Sequence, residues 1–289
     1  MKKSTLLHLR IPFSIFLLHV FLFAVAVLGA PADWKLVLVF LTLHLLIYPA
    51  SNGYNSYFDK DEGSIGGLKR PPAVSKELYW VALLFDFAGT VLAMLVSWRF
   101  AIMILIYGLI SKAYSHPAVR LKKYPILGWV AAGVFQGYFT FMMVVVALSG
   151  MSFAQLADWN LQYPALLSTA LLFGSYPMTQ VYQHEEDSRR GDRTISILLG
   201  IEGTFLFTAL FFTLSVAGFL HYFIEYSTLD WQGAVVFQLF LIPVLVFFLR
   251  WFTQVRRDPT KADFQRTMRL NWLSSTALNL FFLGWWLLA

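Results

Sequence analysis

Two stretches of the chain concentrate oxygen-bearing side chains, residues 51–63 and residues 182–194. In the first, Asn55, Asp59 and Glu62 stand at i, i+4 and i+7, and on a helix they share one face. In the second, Gln183 and Asp187 stand at i, i+4, as do Tyr182 and Glu186. Oxygen donors at this density suit a hard cation such as Mg²⁺, which keeps several waters and completes its shell with substrate phosphates. Two acidic sites brought together from separate helices could grip one diphosphate and neutralise it as a carbon–oxygen bond breaks. Cations for the outer phosphate oxygens are at hand in Lys69 and Arg70, beyond the glycine-rich 63–67, and in Lys112 and Arg120. Each reading has a plainer counterpart. The acidic groups could trim solvated helix ends, the cations could only set topology, and His184 is either a base or ligand or a salt-bridged surface group.

What must position these residues is a membrane bundle. The sequence is 58% hydrophobic, 18% aromatic and only 13% charged, where a soluble domain carries roughly a quarter charged residues. Apolar runs long enough to span a bilayer are expected at 11–30, 36–57, 79–98, 100–114 and 126–150. Others follow at 164–182, 197–222, 233–251 and 272–288, making an all-α fold of nine transmembrane helices. Ser97-Trp98-Arg99 alone separates the third from the fourth. No linker or repeat divides the chain, so 1–289 reads as a single domain. The basic N-terminus and Ala30-Pro31-Ala32 resemble a signal peptide, but the first run has the length of a span and is expected to be retained.

With nine spans, 20 of the 22 Lys and Arg fall on one side, and only Lys35 and Arg99 lie opposite. Positive loops stay cytoplasmic, so the N-terminus and both acidic clusters are expected to face the cytoplasm, in a bacterial inner membrane. The net charge of +6 is spread over short loops and is no nucleic-acid footprint. The absence of cysteine excludes disulfides and thiolate sites.

Taken together, the chain resembles the UbiA superfamily of intramembrane prenyltransferases over nearly its whole length. Asn55 and Asp59 match the first and third named positions of that family's Asn-Asp-x-x-Asp-x-x-x-Asp motif. Asp187, Gly191 and Thr194 match its second motif, and Tyr114-Ser115 with the following basic run look like its loop after helix four. Ser56, Gly63 and Gln183 stand where the family has Asp. The resemblance implies Mg²⁺-dependent transfer of an isoprenoid from its diphosphate to a lipophilic or aromatic acceptor, with Asn55, Asp59 and Asp187 at the chemistry. The metal would fall to Asp59, Asp61, Glu62, Glu186 and Asp187, with neighbouring acids making good the missing ones. Aromatic faces such as Tyr54, Tyr57, Phe135 or Tyr138 could shelter an allylic cation. Two rivals stand beside this reading. One is a transporter using the intramembrane carboxylates Asp86 and Glu202, and the other is a catalytically silent family member.

Overall fold

The structure, a computed structural model, describes residues 1–288. In chain order the helices are α1 (Lys3–Leu28), α2 (Trp34–Asp59), α3 (Glu77–Val96), α4 (Trp98–Ser115) and α5 (Pro125–Ser149). They continue with α6 (Trp159–Met178), a short α7 (His184–Arg189), α8 (Ile195–Tyr226), α9 (Asp230–Arg257) and α10 (Phe264–Leu288). Among the described residues the only extended pairing is one bridge between Ile65 and Leu68. Six helices, α1, α2, α3, α5, α8 and α9, are long and apolar enough to cross a bilayer. Helices α4, α6 and α10 overlap the fourth, sixth and ninth expected spans but carry more polar side chains, among them Lys112, Arg266 and Arg269.

Ser97 shows how one residue separates two helices. Its backbone is extended, ending α3, and its hydroxyl accepts a hydrogen bond from the Phe100 amide at 3.2 Å, capping α4. Helix α1 packs into the core. Phe21 and Phe23 are buried, and Phe23 stacks on Phe282 of α10 at 4.6 Å between centroids. Large apolar side chains such as Leu84, Phe87, Leu210 and Leu239 point outward, the surface a bilayer would cover.

Interruptions in the helices shape the interior. Helix α1 breaks at Arg10, which is left-handed (φ 47°), and resumes as a 3₁₀ turn over Ile11–Leu17. Both α2 and α5 widen into π-helix, over Thr42–Ile47 and Phe135–Phe139. Such bulges redirect side chains and recur at functional sites. Gly137 lets α5 and α6 approach: a Cβ there would lie 2.6 Å from the Thr169 Cα. The Tyr138 amide then donates to the Thr169 hydroxyl at 2.8 Å.

Candidate active site

Where α2, α6 and the start of α7 converge beside the break in α1, they enclose a cavity of about 240 Å³. Asn55, Asp59, Asp61 and Asp187 line it, so both acidic clusters reach one space, although more than a hundred residues separate them in sequence. Arg10, Lys122 and Arg190 bring cations to the same wall, and Tyr114, Tyr176 and Phe135 supply aromatic faces. Tyr114 and Tyr176 touch through their hydroxyls, and Gln180 donates to the Tyr176 oxygen at 3.1 Å. Asn55 is oriented by the Ser115 hydroxyl, which donates to its Oδ1 at 2.7 Å.

The acidic groups are held in a charge network. Asp59 pairs with Lys122, and the Arg120 Nη2 lies 3.5 Å away. Arg120 is committed elsewhere, donating from Nε and Nη2 to the two carboxylate oxygens of Asp192, both at 2.7 Å. This fork-to-fork geometry fixes orientation as well as charge. Lys122 Nζ also lies 3.7 Å from Asp192. On the other side Arg190 pairs with Asp61 and, at 2.7 Å, with Glu186, tying the loop after α2 to α7. Burial pushes the Asp187 carboxyl up to about 7; Lys122 opposes this, while the negative charges of Asp192, Asp59 and Asp61 add to it. Burial raises Asp61 as well, with Asp59 adding and Arg190 opposing.

The helical face expected to carry Asn55, Asp59 and Glu62 is cut short. Lys60 turns left-handed (φ 51°) and its amide closes on the Ser56 carbonyl at 3.0 Å, so α2 ends at Asp59. Glu62 therefore falls in the loop, exposed and outside the cavity lining. Glu186 does not line the cavity either. Its carboxylate accepts from the Glu62 amide at 2.8 Å and the Gly63 amide at 3.2 Å. A Cβ on Gly63 would lie 2.6 Å from Glu186 Oε2. The glycine departure at 63 thus makes room for a carboxylate delivered from 186. Gln183, a second departure, lines the cavity and donates to the Ser64 carbonyl at 3.3 Å. Ser56, the third, is buried with its hydroxyl unpartnered, away from the lining.

The four cations expected at phosphate do not gather there as a group. Lys69 and Arg70 are exposed on the loop after α2. Lys112 is drawn inside the bundle by Asp86, with which it pairs, and lies over the Tyr54 ring. That pairing also accounts for one carboxylate of the transporter reading. The other, Glu202, is exposed and paired with Arg256 at 2.9 Å. Arg120 reaches Asp59 but serves Asp192 first. His184 hydrogen-bonds the Ser196 hydroxyl at 2.7 Å, away from the cavity.

Three residues take the places that sequence spacing did not assign. Lys122 sits in a basic run that also reads as topology, and Asp192 lies one residue past the matched glycine. Arg10 looks like an ordinary positive-inside charge. Yet the Arg10 guanidinium donates to the carbonyls of Gly66 (3.2 Å) and Asn52 (3.3 Å), and among the described residues it has no carboxylate partner. A hydrogen-bonded cation without a counter-ion, facing the cavity, is a ready anion site. The only available signal was its place at the membrane edge of the first span.

The donor chemistry fits Mg²⁺. Asp59, Asp61 and Asp187 offer oxygen alone; burial above all raises the Asp187 carboxyl, the neighbouring carboxylates add to it, and a divalent cation between them would offset both. Among the described residues no three acidic or imidazole groups already converge as a closed metal site.

A sequence model of the UbiA prenyltransferase family matches residues 16–275. A curated relative, digeranylgeranylglyceryl phosphate synthase from Pyrococcus horikoshii, is 26% identical over 196 residues. The match spans 66% of this chain and 66% of that enzyme, just under two thirds of its length. The fold matches a UbiA homologue from Archaeoglobus fulgidus bound to DMAPP and Mg²⁺, with a TM-score of 0.70, 16% identity and coverage of 99% of this chain and 100% of that one. It also matches the apo structure of a UbiA homologue from Aeropyrum pernix, with a TM-score of 0.71, 18% identity and coverage of 95% and 98%.

Proposed function

The chain belongs to the UbiA prenyltransferase family, and from that membership we propose that it transfers a prenyl group from a prenyl diphosphate to a lipophilic or aromatic acceptor, releasing pyrophosphate. The observation that carries this reading is the single cavity into which Asp59, Asp61 and Asp187 open beside Arg10, Lys122 and Arg190. Asp59, Asp61 and Asp187 would hold Mg²⁺, which when bound neutralises the diphosphate leaving group. Arg10 and Lys122 bind the phosphate oxygens, and Arg190, anchored by Asp61 and Glu186, keeps the two acidic segments in register. Tyr114, Tyr176 and Phe135 face the space where the allylic carbon loses its oxygen, and their ring faces stabilise positive charge there. The homologue bound to DMAPP and Mg²⁺ supports the substrate class and the metal.

The site faces the cytoplasm in a nine-span topology with the N-terminus inside. The support for this is the partition of 20 of 22 basic residues to one side. The test uses purified protein, Mg²⁺ and labelled dimethylallyl or geranyl diphosphate, with bound substrate and released pyrophosphate both measured. Asp59→Asn is expected to reduce turnover by about 100-fold or more, the scale of losing one preorganised electrostatic contact. Normal turnover by that variant would remove the site assignment.

A further inference from the structure

On its outer side the bundle carries a groove of about 550 Å³ between α9 and α10. The small, buried Ala277 is its floor, and the exposed Leu239, Trp272 and Leu280 form its rim. Apart from Arg269 and Thr276 the lining is apolar. From Arg269 to Leu280 the helix rises by about 16 Å, half of a hydrocarbon core of ~30 Å, so the groove has the length of one leaflet. It shares no lining residue with the charged cavity. Asn271, Ser275 and Leu278, on the opposite face of α10, line the chamber that adjoins that cavity.

Positive charge gathers at one end of this groove. The Arg269 guanidinium is exposed and lies 5.2 Å from the centre of the Phe247 ring of α9. Arg250 and Arg257 stand 11 and 18 residues after Leu239, close to three and five full turns, so both continue its face of α9. Both are exposed, and among the described residues none of these three arginines has a carboxylate partner. The other cations of this stretch are paired: Arg256 with Glu202, Lys261 with Asp258 and Arg266 with Asp263. The charges left without a counter-ion are therefore those on the side of the groove.

We propose that the groove between α9 and α10 binds an anionic phospholipid, with an acyl chain laid along Ala277 and the headgroup phosphate between Arg250 and Arg269. Basic residues at the mouth of a cleft between membrane helices recognise acidic headgroups in this way. Trp272, one turn from Arg269, sits at the level where indoles favour the headgroup boundary. A prenyl diphosphate has a similar outline, but it travels with a divalent cation, and the groove offers no carboxylate to hold one. The groove also lies apart from the cavity assigned to transfer, so this site stands whether or not that reaction does.

The experiment titrates the purified full chain, stripped of phospholipid in nonionic detergent, with dioleoyl phosphatidylglycerol or dioleoyl phosphatidylcholine, and counts bound lipid by native mass spectrometry. Phosphatidylglycerol is expected to occupy one site at least about tenfold more tightly. Arg250→Gln and Arg269→Gln should each weaken it about fivefold and together about thirtyfold, the scale of one and two cations at an acidic headgroup. Removing the same charge elsewhere at that end of the bundle, with Lys69→Gln and Arg70→Gln together, should leave the affinity within about twofold. Thr276→Phe, which fills the groove from an exposed position, should weaken binding severalfold with every arginine in place. All these residues are exposed or nearly so, and lipid-free melting temperatures equal to that of wild type are expected. Absence of a phosphatidylglycerol site, equal affinity for the two lipids, an equal loss in the Lys69 and Arg70 variant, or no loss in Thr276→Phe overturns the proposal. One-for-one displacement of phosphatidylglycerol by geranylgeranyl diphosphate gives the groove to a prenyl donor and overturns it too.

Discussion

Asp192 is the residue whose removal is most informative, because it acts only through what it holds. Its side chain is 1% exposed and that of Arg120 15%, and two bonds of 2.7 Å join them. Removing one partner of a buried pair costs about 3–5 kcal/mol, mostly from the charge left behind. After Asp192→Ala, Arg120 keeps a contact with Asp59 at 3.5 Å, and Lys122 keeps its pairing with Asp59, so the cost should fall near the lower end, about 3 kcal/mol. Arg120→Met leaves Asp192 with Lys122 at 3.7 Å and should cost about as much. The double variant removes both charges together, so its loss should fall short of the sum by about 2 kcal/mol. The measurement is equilibrium unfolding in mixed micelles followed by tryptophan fluorescence, for the wild type, both single variants and the double. Additive losses, with a coupling below about 0.5 kcal/mol, would refute the claim that this pair organises the site.

Three further outcomes are expected, two at Asp187 and one at the contact between α5 and α6. Since Asp187 sits near pH 7 instead of 3.8, it must lose a proton to bind a cation, so Mg²⁺ affinity should rise about tenfold from pH 6 to pH 8 and then level off, and Asp187→Asn should flatten that slope. The folded protein holds this proton where the unfolded chain does not, so the metal-free protein should lose stability from about pH 4 to pH 7; calorimetry across that range, with and without Mg²⁺, checks both signs. Gly137→Ala should destabilise by about 1–3 kcal/mol, because its Cβ would press on the Thr169 backbone and force α5 from α6; an unchanged melting temperature would show that the helices can part freely.

Much of the architecture was legible in the chain itself. Hydropathy points to a helical membrane protein, because satisfying the backbone within lipid is a constraint each segment meets alone. Motif spacing marks Asn55, Asp59 and Asp187, since helical periodicity places residues on a face without reference to the rest of the fold. Partner choice between segments is another matter. Only the folded bundle draws Lys112 away to Asp86, turns Glu62 outward past the left-handed Lys60, and spends Glu186 on the amides that Gly63 leaves open. Only there do Arg10, Lys122 and Asp192 become site residues, because a charge acquires its role from the counter-charges within a few ångströms, and those come from segments far apart in sequence.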